Sequence, residues 1–182
     1  MDAISGEGVP DWFPLGEIPA DVAEVLYNRS AKQINLYRAL SHSPELVHAW
    51  LDFIWTLRDG CQTSRPLREL VILRTAIRHD SPYEWRHHVL MAEAVGVTAK
   101  QIAELPNWLE SNSFNGLERA ALALTDAICD GSVPSALRVA SASWFNEREF
   151  VEIVVTAAAY VMVPRVLAAL AVPMEPDIEM GS

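Results

Sequence analysis

Glu69, Glu84 and His88 are the residues of this 182-residue chain whose types and spacing could move protons. Glu84 and His88 stand four apart, so on a helix they share a face. Glu69 belongs to the preceding helical segment, and the short stretch from His79 to Ser81 would fold the two segments back on each other. Two carboxyl groups and an imidazole meeting between apolar helices would suit general acid–base catalysis. Such chemistry needs a histidine that titrates near neutral pH, a carboxylate to orient it and a dry setting that tunes both. Each residue also has a structural reading. Ser81-x-x-Glu84 is a capping-box sequence that would occupy Glu84. Glu69 could pair with Arg65 or Arg68 on its own helix, and His88, next to Val89 and close to Met91, could be a packed core histidine.

Around this group, Tyr83, Trp85, His87 and Ser81 are candidates for contact with a small-molecule substrate. Arg74, flanked by apolar residues, needs an acid and is a candidate either for a substrate carboxylate or for Glu69. His87 points about 100° away from His88 on a helix, so the adjacent pair does not chelate, and HExxH is absent. No metal and no cofactor is expected. The chain has no Gly-rich phosphate loop and no G-x-S-x-G elbow. Its two cysteines, Cys61 and Cys129, are 68 positions apart, which excludes a CxxC redox pair.

The elements that must carry these residues are helices. Ser43-Pro44-Glu45 and Ser64 with Pro66 read as helix starts, Thr98/Gln101, Asn115/Glu118 and Asn146/Glu149 as capping boxes, and Gly60 and Gly96 as stops. The segment "RPLRELVILRTAIR" is apolar around most of its circumference and is expected to lie centrally. In the helix after Ser43 the expected buried stripe is Leu46, Trp50, Phe53, Ile54 and Leu57. A helix from about 20 to 40 should break near Asn28–Ser30, and the last helix, from Asn146 to about Ala171, should kink at Pro164. The reading is an all-α domain of seven to eight helices over residues 20–172. It is preceded by an extended Pro/aromatic arm, 1–19, and followed by a flexible polar tail, 173–182. Helices that are apolar nearly all round imply a homo-oligomer.

A net charge of −10 without a basic cluster argues against nucleic acid or an anionic membrane as partner. The opening "MDAISGEGVPDW" lacks the basic and apolar regions of a signal peptide, and the apolar stretch Ile153–Pro164 is too short for a bilayer. The expectation is a cytoplasmic protein with reduced thiols.

"NLYRALSHSPELVHAWLDF" and "RPLRELVILRTAIRHDSPYEWRHHVLMAEAVGVTAKQIAEL" resemble the carboxymuconolactone decarboxylase family, which includes the AhpD-like alkylhydroperoxidases. The likeness runs over roughly residues 30–172 and is most specific from Arg68 to Leu105. It implies an AhpD-like all-α fold assembled as trimers or hexamers, with the site near subunit contacts. The family's thiol branch carries a glutamate, a cysteine twelve residues on, another three further and a histidine four beyond. Those positions here are Glu69, Ser81, Glu84 and His88, so both thiols are replaced and CxxC peroxide reduction is chemically unavailable. The decarboxylating branch has Glu-x-x-x-His where Glu84 and His88 stand, while Glu69 matches the thiol branch. The resemblance implies a carboxy-lyase-like enzyme in which His88, Glu84 and Glu69 act on a small unsaturated lactone or keto acid. The alternatives are an isomerase or cyclase, a small-molecule binder on the same scaffold, or an alkylhydroperoxidase in name without thiol activity.

Overall fold

The computed structural model describes residues 13–29 and 31–176. Among these, nine α-helices and one short 3₁₀ segment account for all regular structure, and no strand occurs. They are α1 (Ala20–Asn28), α2 (Asn35–Leu40), α3 (Pro44–Asp59), α4 (Arg65–Arg78), α5 (Pro82–Ala94), α6 (Ala99–Glu104), the 3₁₀ segment (Leu105–Asn107), α7 (Gly116–Cys129), α8 (Ser135–Ser141) and α9 (Glu147–Ala169). The count exceeds the expected seven to eight because the break near residue 29 separates α1 and α2 fully.

Helix α4 is the axis of the fold. Its ten consecutive residues from Leu67 to Ala76 are all buried, which a helix achieves only when neighbours surround it. Those neighbours are α5, α7 and α9. Each of the three apolar clusters takes part of α4: Ile72 joins the side chains of α1, α2, α3 and α9, Leu70 and Leu73 pack with α5, α6 and α7, and Leu67 and Val71 meet α7, α8 and α9. Burying such a helix also buries its polar residues, and each needs a partner. Arg74 forms a forked pair with Asp126 of α7 at 2.7 and 3.0 Å and donates to the carbonyls of Leu105 and Pro106. Arg68 donates from its terminal nitrogens to Thr63 and the carbonyl of Arg58, which ties the start of α4 to the end of α3, while its buried Nε has no partner.

The three capping boxes at Thr98, Asn115 and Asn146 form as their sequences require. Gly96, at φ +99°, ends α5 in the left-handed conformation that glycine tolerates best. Two expectations need correction. The buried stripe of α3 is Val47, Trp50, Leu51, Ile54, Trp55 and Leu57, whereas Leu46 is 53% exposed and Phe53 39%. The neighbours on α1, α2 and α9 meet a face rotated from the one that hydrophobicity alone selects. The last helix runs through Pro164 as expected, but the apolar stretch is not too short for a bilayer: α9 has 23 residues and, by length and composition alone, could cross a membrane.

Both flanks touch the body. Phe13 sets its ring edge against His42 at 5.0 Å, and Gly16 and Arg38 exchange backbone and side-chain hydrogen bonds. Residues 1–12 and 177–182 lie outside the described residues, so most of the expected arm and tail is not in view. Residues 173–175, expected to fray, are instead held: the Pro173 carbonyl accepts from the Asn35 amide, and Glu175 accepts from the Asn35 backbone N–H.

Candidate active site

The three-residue connection 79–81 brings α5 back along α4, and this places His88 against Glu69. His88 Nδ1 lies 2.8 Å from Glu69 Oε2. The other carboxylate oxygen accepts from Arg65 Nε at 2.7 Å and from a terminal guanidinium nitrogen of the same residue. Glu69 is fully buried and His88 is 4% exposed. Burial alone would raise the Glu69 pKa, but the neighbouring His88 and Arg65 outweigh it and hold the group below the ordinary carboxylate value. An ionised carboxylate can only accept, so Nδ1 of His88 must carry the proton of that bond. Nε2 is then the working nitrogen, with no protein partner among the described residues.

His88 lines a cavity of about 500 Å³ bounded by the connection between α1 and α2, by α2, α3, α5 and α9, and by Arg65 of α4, a size suited to a small organic molecule. Glu84 lines the same space one turn away. It is 2% exposed, and neither carboxyl oxygen has a hydrogen-bond partner. Burial pushes its pKa up to about 9, so it is a neutral acid at pH 7, able to donate and to accept. The capping reading fails for its side chain: Ser81 Oγ does accept from the Glu84 backbone N–H at 3.5 Å, but the carboxyl does not reach back. Nor does Glu84 orient His88, a role the geometry gives to Glu69.

The other residues singled out in the sequence divide. Tyr83 and His87 line the cavity with their rings 4.6 Å apart, and both are pinned by Glu175: Tyr83 Oη donates to it at 2.6 Å and His87 Nε2 lies 2.9 Å away. Burial lowers the His87 pKa, and Glu175 opposes the shift only partly. Trp85 packs instead in the cluster of α4 to α7, and Ser81 serves as the N-cap of α5. Arg74 is on the far side of α4, committed to Asp126, whose second oxygen also accepts from Trp108 Nε1 at 3.0 Å. It can hold neither Glu69 nor a ligand in this cavity.

Sequence reasoning missed Arg58, Trp55 and Tyr160. The Tyr160 ring stands edge-on to His88 at 5.0 Å, and its hydroxyl lies in the field of Arg58, Glu69 and Glu84, with burial raising its pKa to about 12. In "AAAYVMV" it reads as core; the one signal was a hydroxyl in an apolar run, which needs a partner when buried.

Among the described residues, no group of three or more His, Cys, Asp or Glu side chains could hold a metal ion. Cys61 and Cys129 are free thiols, and neither lines the cavity. Burial raises both pKa values, that of Cys129 to about 11, which disfavours the thiolate.

The model of the carboxymuconolactone decarboxylase family matches residues 44–127, the stretch from α3 to α7 that contains Glu69, Glu84 and His88. Over this stretch the chain is similar to that family. No curated protein matches the sequence. Among solved structures, an uncharacterized peroxidase-related protein from Silicibacter sp. TM1040 superposes with a TM-score of 0.80 at 17% identity, over 97% of each chain. A peroxidase-related protein with an alkylhydroperoxidase AhpD core from Ralstonia eutropha JMP134 gives 0.77 at 17% identity, over 91% of this chain and 93% of that one. A cysteine-to-alanine variant of the debrominase Bmp8, in complex with 2,3,4-tribromopyrrole, gives 0.77 at 17% identity, over 90% and 92%. At such identities the likeness establishes a shared AhpD-like fold.

Proposed function

We propose that this protein is an acid–base enzyme, a carboxymuconolactone decarboxylase-like carbon–carbon lyase acting on a small unsaturated lactone or keto acid. The observation that carries the reading is the 2.8 Å contact between His88 Nδ1 and the ionised Glu69, set in the wall of a cavity that also holds the neutral Glu84. When a carboxylate conjugated to a carbonyl leaves as carbon dioxide, the electrons of the broken C–C bond pass into the carbonyl and form an enolate. Glu84, as a neutral acid, donates a hydrogen bond to that oxygen. His88, as imidazolium beside the Glu69 carboxylate, delivers a proton from Nε2 to the carbon terminus and regains one from water. Arg65 keeps Glu69 ionised and in place.

Replacing His88 with alanine removes the proton carrier and should cut turnover about a hundredfold or more while the helical signal stays normal. The assay is carbon dioxide release from carboxylated unsaturated lactones and keto acids, and wild-type rates in the His88→Ala variant would overturn the reading. A His88-dependent product of unchanged mass would instead assign the same dyad to an isomerase or cyclase. Peroxide reduction is disfavoured, because the two thiols are unpaired, with raised pKa values, and lie outside the cavity. The free thiols accord with the reducing cytoplasm, and the exposed apolar side chains accord with a homotrimer or homohexamer.

A further inference from the structure

The cavity has a second polar feature that the proton chemistry leaves unused. Arg58, in the last turn of α3, lines it with the guanidinium 5.4 Å over the Trp55 ring. Its Nε is buried without a hydrogen-bond partner, and among the described residues no carboxylate forms a salt bridge with it, Glu69 acting on it only from a distance. The hydroxyls of Tyr37 and Tyr160 approach the same group. A guanidinium stacked on an indole keeps its plane fixed while its N–H edges stay open to a planar anion. A buried donor left unfilled is costly, and of the unpartnered arginine Nε groups only that of Arg58 belongs to a residue lining the cavity.

The charge around the cavity points the same way. Arg29, Lys32, Arg58 and Arg65 line it against two acidic side chains, Asp59 and the neutral Glu84, in a chain whose net charge is −10. Arg29 answers Asp59 at 3.6 Å, and Arg65 is engaged by Glu69. Lys32 is exposed at the surface, so the buried cation of the cavity that no carboxylate bridges is Arg58, whose neighbours are the two tyrosine hydroxyls. Trp50, Tyr37 and Tyr83 supply aromatic walls for a flat ligand.

We propose that Arg58, framed by Tyr37, Tyr160 and Trp55, is an anion subsite that selects flat, ring-sized organic monoanions and seats their charged group beside His88. The inference rests on the cavity being the substrate site, but not on what reaction His88 performs there. It makes Arg58 a binding residue, and the neutral Glu84 the acceptor and donor for a carbonyl or hydroxyl elsewhere on the same ligand.

The test uses benzoate as probe and benzamide as its neutral isostere, titrated into the full-length protein. Tryptophan fluorescence reports binding because Trp50 and Trp55 line the cavity, and calorimetry provides a second measure. Benzoate should saturate the protein and bind at least about tenfold more tightly than benzamide. Arg58→Gln should weaken benzoate about 10- to 100-fold and leave benzamide unchanged, and Arg58→Lys, which keeps the charge but not the planar fork, should fall between. The Arg58 carbonyl, not its side chain, receives Arg65 and Arg68, so these variants keep the bonds that join α3 to α4. His88→Gln should retain benzoate binding, which separates this subsite from the acid–base reading: an inactive His88 variant that still binds benzoate supports the subsite. Equal affinity for benzoate and benzamide, full benzoate affinity in Arg58→Gln, or no saturable binding of either probe would overturn it.

Discussion

Glu84 is a carboxyl group whose burial has a measurable consequence far from any assay of turnover. Its pKa in the folded chain is about 9, against roughly 4.3 for a carboxyl group in an unfolded one. Between those values the native state holds a proton that the unfolded state has released, so stability falls as pH rises. The slope reaches about 1.4 kcal/mol per pH unit, and the loss levels off above pH 9. Glutamine has the same shape and does not ionise. Glu84→Gln should therefore match the wild type near pH 4 and become progressively more stable than it from pH 5 to pH 9. Urea midpoints at pH 5, 7 and 8.5 measure this, and parallel curves for the two chains would show that the side chain is not buried as a neutral acid. The candidate site was legible in the sequence as far as residue types and helical spacing reach: Glu69, Glu84 and His88 do converge. The division of labour among them was not legible, because which carboxyl orients the imidazole depends on the rotation of α4 against α5.

At the scale of elements, the connection between α3 and α4 decides where Arg58, Arg65 and Glu69 stand, and a residue on another helix holds it. Glu152 of α9 accepts from the backbone N–H groups of Gln62 and Thr63 at 2.9 and 2.8 Å and from the Thr63 hydroxyl at 3.0 Å, with Arg148 one turn before it. These donors outweigh desolvation and bring its pKa to about 2. A depressed pKa means that the stabilisation is complete above the unfolded value near 4.3 and is lost as pH falls through about 2. Glu152→Gln should cost about 1–3 kcal/mol at pH 7, and the deficit should close towards pH 2. Denaturation at pH 7 and pH 3 distinguishes this from a neutral packing role, for which the deficit would be the same at both. Helix positions, caps and the central place of α4 were readable because they depend on local chemistry: Thr98, Asn115 and Asn146 cap within their own turn. Partners across the fold were not readable. Arg74 looked like a holder of a ligand or of Glu69 because Asp126 lies 52 residues away, and nothing local in the sequence singled out Glu152 or Glu175, whose partners are still more distant.

For the whole molecule, α9 sets the remaining question of how the chain accommodates a long apolar helix. One side packs on α4 and α7, yet only 39% of its most apolar window is buried within the chain. Val151, Ala158 and Met162 are exposed at intervals of seven and four, which puts them on one face, and Val151 is 58% open. An apolar stripe of this kind calls for a covering surface, and a second copy of the same chain is the simplest one. Light scattering on the eluted protein should therefore give three or six times the monomer mass. The double substitution Val151→Glu with Met162→Glu places two carboxylates on that stripe without touching the cavity. It should shift the species towards monomer while the helical signal persists. If the wild type elutes as a monomer, or sediments with membranes, the stripe has a different use; if the double variant keeps the full assembly mass, the contact between copies lies on another face.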